Sequence, residues 1–182
     1  MAVHPNEVKY GATGTPAKFW SLWKEDIEKE VSKLLKKKTK NTNSEDRLVT
    51  EQDKGIYSLC RPNRLLELVY KYVVFDGPDK KICRYQQYFA VQDTIKRVKS
   101  RTNEGNRQGG VIWHTTGSGK SLTMVMLSKA LALDTSIESP RIIIVTDRIS
   151  LDKQIFKTFV NCGKHVKKAK SGSDLVELLQ DK

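Results

Sequence analysis

The stretch Trp113–Ser121, which reads W-H-T-T-G-S-G-K-S, follows directly on the apolar residues Val111 and Ile112. An apolar strand that runs into a glycine-rich loop ending in Gly-Lys-Ser, and then into a helix, is the arrangement that holds a nucleotide polyphosphate. Backbone amides can point inward there only where side chains stay out of the way, and the helix N-terminus adds partial positive charge. The sequence therefore predicts a phosphate-binding loop whose main-chain donors belong to Thr116, Gly117, Ser118 and Gly119.

The two residues that follow the loop complete the expected site. Lys120 would reach the β and γ phosphates as the catalytic cation, and the Ser121 hydroxyl would be one ligand of Mg²⁺. The strict spacing of such loops asks for a glycine five residues before Gly119, where this chain has His114. A chance Gly-Lys-Ser in a turn is the alternative, but the apolar segments on both sides favour the phosphate loop.

The composition favours a basic protein that binds a polyanion. The 182 residues include 33 Lys and Arg against 21 Asp and Glu, a formal net charge of +12. Such an excess is typical of nucleic-acid-binding surfaces, although lysines also serve solubility alone. The three cysteines form no C-x-x-C pair, and no apolar run approaches the ~20 residues of a membrane span. We therefore expect a cytoplasmic protein without a membrane partner.

Periodicity and turn residues divide the chain into alternating elements. The first 16 residues read as irregular, a helix is expected from Thr15-Pro16 to Leu35, and an apolar segment over 65–74 ends in a turn at 76–79. Further on, the patterns predict helices over 87–99, 120–133 and 150–159 and from Ser173, with strands over 110–113 and 141–146. This order predicts an α/β fold: part of a parallel sheet with flanking helices over 77–182, preceded by a mainly helical segment over 1–76.

Two further stretches have the composition of ligand-binding segments. Residues 84–91 place two glutamines among aromatic side chains, and a glutamine amide presents the donor and acceptor that an adenine edge needs. Residues 145–148, V-T-D-R, come at the carboxyl end of an expected strand, where open α/β sheets place ligand contacts.

In this order, three stretches resemble the motor subunit of type I restriction endonucleases, a branch of the superfamily 2 helicase-like DNA translocases. They are K-I-C-R-Y-Q-Q-Y-F-A-V-Q at 81–92, G-V-I-W-H-T-T-G-S-G-K-S-L-T-M at 110–124 and R-I-I-I-V-T-D-R-I-S-L-D-K-Q at 141–154. They look like the family's adenine-recognising Q motif, its Walker A loop and its motif Ia. More weakly, residues 7–24 resemble the tail of the family's nuclease domain.

The resemblance implies ATP and Mg²⁺ as cofactors, a P-loop RecA-like fold and an assembly of several subunits. Gln87 would be the adenine-reading glutamine, while Arg148 and Gln154 would belong to the segment that leads to the DNA. The partners would be double-stranded DNA and the methylation and specificity subunits of a restriction complex. The chain is then expected to be a fragment that spans the nuclease-to-motor junction.

The acidic motif and arginine fingers that ATP hydrolysis requires are not found in the sequence, so we expect nucleotide binding without useful turnover. Two alternatives stay open at this point. One is a fragment of another superfamily 2 helicase without a nuclease, and the other is a non-catalytic DNA-binding or nucleotide-binding segment.

Overall fold

The amino terminus forms a small antiparallel sheet, in a computed structural model that describes residues 1–39 and 47–180. Its strands lie in the order β1 (Ala2–His4), β2 (Glu7–Tyr10) and β3 (Ser21–Leu22). Pro5 and Asn6, residue types that favour tight turns, connect the first two strands. Val8 and Tyr10 alternate with exposed neighbours and are buried. The prediction that residues 1–16 are irregular is therefore wrong over residues 2–10 and confirmed over residues 11–16.

The long helix predicted from Thr15-Pro16 is also wrong over its first half. The chain makes one 3-10 turn at Ala17–Phe19, enters β3, and becomes helical only in α1 (Glu28–Thr39). A local contact of Trp20 and tertiary contacts of Trp23 explain the difference. The indole of Trp20 donates to the Thr15 carbonyl, and the Trp23 ring packs between Tyr10 and Tyr88. These contacts override the local periodicity, because most helical stability in proteins comes from packing.

Two helices and a hairpin follow. They are α2 (Glu51–Cys60), α3 (Pro62–Glu67) with a π-helical turn at Leu68–Tyr72, and the antiparallel strands β4 (Val73–Asp76) and β5 (Asp79–Ile82). The turn predicted at 76–79 is confirmed, with Gly77 at a φ of +63°. The domain boundary predicted after residue 76 falls in this turn, between two paired strands.

All four helices predicted in the second half are present. They are α4 (Tyr85–Lys99), α5 (Lys120–Ala132), α6 (Ile149–Asn161) and α7 (Gly172–Gln180). Helices α4, α5 and α6 contribute to one buried cluster with the π-helical turn and β4. Its largest fully buried side chains are those of Tyr72, Leu68, Met126, Val91, Val125 and Cys83.

The parallel sheet predicted for 77–182 is not found among the described residues. The described residues form only the two small antiparallel sheets. No main-chain hydrogen bond between described residues involves residues 110–113 or 141–146. Val111 is 92% exposed and Val145 is 88% exposed. An apolar extended segment becomes a strand only when neighbouring segments take its N–H and C=O groups. The residues that the structure describes are thus a mixture of helix and small sheets, which is compatible with the α/β class, and they do not form the predicted parallel layer.

Two smaller findings bear on the sequence analysis. None of the described helices combines the length and the apolar character that crossing a membrane requires. Cys83 is buried, Cys162 is half-buried and Cys60 is exposed.

Candidate nucleotide-binding site

The predicted phosphate loop is a compact turn organised around one carbonyl group. The Thr115 carbonyl accepts hydrogen bonds from the Ser118 amide at 3.3 Å, the Ser118 hydroxyl at 2.7 Å and the Lys120 ammonium at 2.9 Å. Gly117 and Gly119 have φ angles of +77° and +85°. These are left-handed conformations that glycine adopts without a steric cost, which explains the glycines at both positions.

Helix α5 begins directly at the end of this turn. Its N-cap is Gly119, and no side chain caps the helix. The Gly119 carbonyl accepts the first intrahelical bond, from the Thr123 amide at 3.0 Å, so the amides of residues 120–122 have no carbonyl partner within the helix. Uncapped amides and the positive end of the helix dipole favour an anion at this point.

Lys120 and Ser121 lie at the mouth of the turn, on the first residues of α5. The Lys120 side chain is exposed and folds back over the loop to reach Thr115, while Ser121 is half-buried. An exposed ammonium held only by a neutral carbonyl keeps its full charge. The structure therefore places a cation, a hydroxyl and a set of main-chain donors next to one another at the start of α5.

The side chain of Gln87 contacts the loop, and its partner there is a main-chain carbonyl group. The side chain is 4% exposed and sits in the first turn of α4. Its Nε2 donates to the Gly119 carbonyl at 3.1 Å, and its Oε1 accepts from the Arg84 amide at 2.8 Å. A Cβ atom at position 119 would lie 2.7 Å from Nε2, so only glycine allows this approach. In this arrangement the Gln87 amide supports the loop.

A buried ion pair supports α4 from the opposite side. Arg64 is 8% exposed, donates to both carboxylate oxygens of Glu25 at 3.0 and 3.1 Å, and stacks its guanidinium 4.4 Å from the Tyr88 ring. Burial alone would raise the pKa of Glu25, but hydrogen bonds from Arg64 and Trp23 hold that pKa below its ordinary value. The carboxylate is therefore charged at neutral pH and paired.

Tyr88 also connects α4 to α3. Its hydroxyl donates to Glu67 at 2.6 Å, and burial together with this carboxylate raises the pKa of Tyr88. Sequence reasoning missed this network, since residues 25 and 64 are far apart in the chain. The one available signal was a charged residue, Arg64, at the edge of an otherwise apolar segment.

The two residues expected near DNA lie at the start of α6. Arg148 is the N-cap residue of that helix and is highly exposed, with Asp147 as a loose ion-pair partner at 3.7 Å. Gln154 is exposed further along the helix. No hydrogen bond among the described residues joins either side chain to the 115–119 turn.

The model of the SWI2/SNF2 ATPase family matches residues 86–182, which is more than half of the chain. The matched segment includes the phosphate loop, Gln87, Arg148 and Gln154.

Three curated relatives show which proteins this chain is similar to. The type I restriction enzyme HindI endonuclease subunit of Haemophilus influenzae is 36% identical over 125 residues, 65% of this chain and 11% of the relative. The SauCOLORF180P endonuclease subunit of Staphylococcus aureus is 34% identical, over 69% of this chain and 13% of the relative. The SsaAORF53P endonuclease subunit of Staphylococcus saprophyticus is 30% identical over the same shares.

The chain thus spans between about a tenth and an eighth of the length of these relatives. Nothing among the solved structures matches it. The resemblance inferred from the three sequence stretches is confirmed: this chain belongs to the SWI2/SNF2 ATPase family, and its curated homologues are endonuclease subunits of type I restriction enzymes.

Proposed function

We propose that this chain binds ATP and Mg²⁺ as part of the ATP-dependent DNA translocase and endonuclease subunit of a type I restriction-modification system. The observation that carries the proposal is the turn at residues 115–119, which leads into an uncapped helix start and carries the Lys120 ammonium at its mouth. Membership of an ATPase family supports ATP as the polyphosphate.

The proposed roles follow from the chemistry of each group. The amides of Thr116, Gly117, Ser118 and Gly119 would surround the phosphate oxygens, which requires the Ser118 amide to leave the Thr115 carbonyl. Lys120 would leave the same carbonyl to stabilise the charge on the β and γ phosphates. A bound Mg²⁺ would neutralise phosphate charge, and the Ser121 hydroxyl is the side chain that would hold it.

A titration of ATP and Mg²⁺ against the purified chain and its Lys120→Ala variant tests this proposal. Loss of the ammonium should weaken binding by about tenfold or more, since charge-assisted hydrogen bonds contribute about 1.5–3 kcal/mol. The control is Lys29→Ala, which removes an exposed lysine of α1. Equal ATP affinity of the original chain and the Lys120→Ala variant would reject the phosphate site.

For Gln87 we propose recognition of adenine, which would require its amide to leave two main-chain partners. Substitution by alanine separates this role from support of the loop. If Gln87 reads adenine, Gln87→Ala should remove the preference for ATP over GTP. If the amide only supports Gly119, binding of ATP, GTP and inorganic triphosphate should weaken by the same factor. The exposed neighbour provides the control, Gln86→Ala.

The proposed partners are double-stranded DNA, contacted by Arg148 and Gln154, and the methylation and specificity subunits of a restriction complex. The names of the relatives, endonuclease subunits of type I restriction enzymes, support this assignment. We expect ATP binding without ATP turnover by this chain alone. Phosphate release that requires Lys120 would contradict that expectation.

A further inference from the structure

The segment between α4 and the phosphate loop is a small hairpin rich in positive charge. We call residues 97–109 the basic hairpin. Its main chain closes on itself, because the Thr102 amide donates to the Asn106 carbonyl at 2.8 Å and an antiparallel bridge pairs Arg101 with Arg107. The segment is therefore an ordered support for its side chains. Its cationic residues are Arg97, Lys99, Arg101 and Arg107, against one acidic residue, Glu104.

The three arginines of the basic hairpin are held by carbonyl groups of the main chain. A carbonyl orients a guanidinium but leaves its charge in place. The ion pairs found among the described residues include none of these arginines, whereas Lys99 is paired with Asp134. The bonds, each of 2.8 Å, run from Arg97 to Gly109, from Arg101 to Gly105 and from Arg107 to Val98.

The bridge places two like charges opposite one another. Arg101 and Arg107 are direct partners across the antiparallel pair, an arrangement that is unfavourable for like charges. The ion pairs among the described residues include none between Glu104 and either arginine, and the Glu104 carboxylate accepts from the Asn106 amide group at 3.5 Å. A bound anion between or beside the two guanidiniums would remove this repulsion.

The composition of the basic hairpin limits the kind of anion. Apart from the half-buried Val98, the basic hairpin contains no aliphatic or aromatic side chain. A protein partner would normally need apolar anchors at the centre of the interface, and a single-stranded nucleic acid would need aromatic rings for stacking. The backbone of duplex DNA needs only positive charge and polar donors such as Ser, Thr, Asn and Gln, all of which are present.

We infer that the basic hairpin is a binding site for the phosphate backbone of duplex DNA, with Arg101 and Arg107 as its principal contacts. The inference rests on the proposed function only in that the proposed motor acts on DNA. It does not depend on nucleotide binding at residues 115–121.

The test is the affinity of the full chain for a short fluorescent DNA duplex, measured over a range of salt concentrations without nucleotide. The variant Arg101→Ala/Arg107→Ala should bind about 10- to 100-fold more weakly, and its plot of log affinity against log salt should be shallower by about 2. The matched control is Lys29→Ala/Lys33→Ala, which removes two exposed cations of α1 and should keep the original slope. Equal changes in both double variants would overturn the inference.

Two further measurements separate the effect of charge from that of folding, and duplex DNA from different polyanions. The variant Arg101→Lys/Arg107→Lys keeps the charges and should retain the original salt slope, even if the alanine variant folds poorly. Loss of that slope in the lysine variant would overturn the inference. Tighter binding of single-stranded DNA, or of polyglutamate, with the same dependence on Arg101 and Arg107 would assign a different partner and would also overturn it.

Failure of this inference and failure of the proposed function give different results. If ATP does not bind but duplex DNA binds through Arg101 and Arg107, the nucleotide site is wrong and the basic hairpin stands. If ATP binds through Lys120 but the two arginines do not affect DNA affinity, the basic hairpin is not a DNA-binding site and the nucleotide site stands.

Discussion

Helix α5 and the segment 141–146 are both rich in apolar residues but differ in the structure. Val125 and Met126 of α5 have no exposed surface, whereas Ile143 and Val145 are 58% and 88% exposed. A helix satisfies its backbone groups within itself, so it needs only one packed face to be stable. An extended segment depends on neighbours for every hydrogen bond. The difference shows that helices can be predicted from a local pattern, while strands require knowledge of their partners.

The two segments on either side of residue 114, residues 110–113 and the turn with α5, differ in the same way. The turn and helix after residue 114 are anchored by Gln87 and by the buried cluster. The segment before it, residues 110–113, has no such support among the described residues. The site is thus organised from its helical side.

Hydrogen exchange should show the largest difference between these regions. Amides within residues 124–130 of α5 should exchange at least ~10³-fold more slowly than those of residues 142–146, because the most protected amides open only with global unfolding. Hydrogen exchange of the native chain, detected by mass spectrometry, gives the exchange rates of both segments in one experiment. Comparable protection of the two would mean that residues 142–146 have hydrogen-bonded partners after all.

A matched pair of valine substitutions tests the energetic side of the comparison. Val125→Ala removes buried methyl groups and should lower the free energy of unfolding by about 1–3 kcal/mol. Val111→Ala, at a position that is 92% exposed, should change it by less than about 0.5 kcal/mol. Urea denaturation provides both values. A large effect at position 111 would show that the segment before the loop is buried in solution.

Glycine substitutions sharpen the comparison at the loop itself. Gly119→Ala places a Cβ atom 2.7 Å from Gln87 Nε2 at a φ of +85°, and should cost roughly 1–2 kcal/mol of stability. Gly109→Ala, with no heavy atom within 4 Å and no positive φ, should be nearly neutral. Thermal unfolding of the two variants measures the difference. If Gly119→Ala is as stable as Gly109→Ala, the close approach of α4 to the turn is wrong.

The smallest expected effect concerns the ion pair that joins the ends of α4 and α5. Hydrogen bonds from Lys99 and Ser136 lower the pKa of Asp134 to about 2, from 3.8 in the unfolded chain. Because the folded-state pKa is the lower one, the stabilisation is complete above about pH 5 and is lost as the pH falls towards 2.

Asp134→Asn should therefore lower the free energy of unfolding at pH 7 by at most about 1 kcal/mol, since the Lys99 partner is partly exposed to solvent. The difference in the free energy of unfolding between this variant and the original chain should become smaller when denaturation is repeated at pH 3. Asp93→Asn, in an exposed ion pair with Lys96, serves as the control and should have no measurable effect. A larger difference in the free energy of unfolding at pH 3 than at pH 7 would contradict the lowered pKa of Asp134.

The four helices of the second half and the glycine-containing turn before α5 could be predicted from the sequence, because both are determined by residues that are close together in the chain. Gly117 and Gly119 could be identified since a left-handed turn requires them. The sequence could not predict that the amide of Gln87 contacts a carbonyl 32 residues away, or that Trp20 and Trp23 interrupt the first helix. Contacts of this kind are set by tertiary packing, which one sequence does not reveal.

The pairing of Glu25 with Arg64 has a consequence for variation among relatives. Loss of Glu25 would leave the buried Arg64 guanidinium without its ion-pair partner, and loss of Arg64 would leave Glu25 with the longer ion pair to Arg61 at 3.6 Å, whereas joint replacement by apolar side chains of similar volume would cost little. The two positions should therefore change together in evolution.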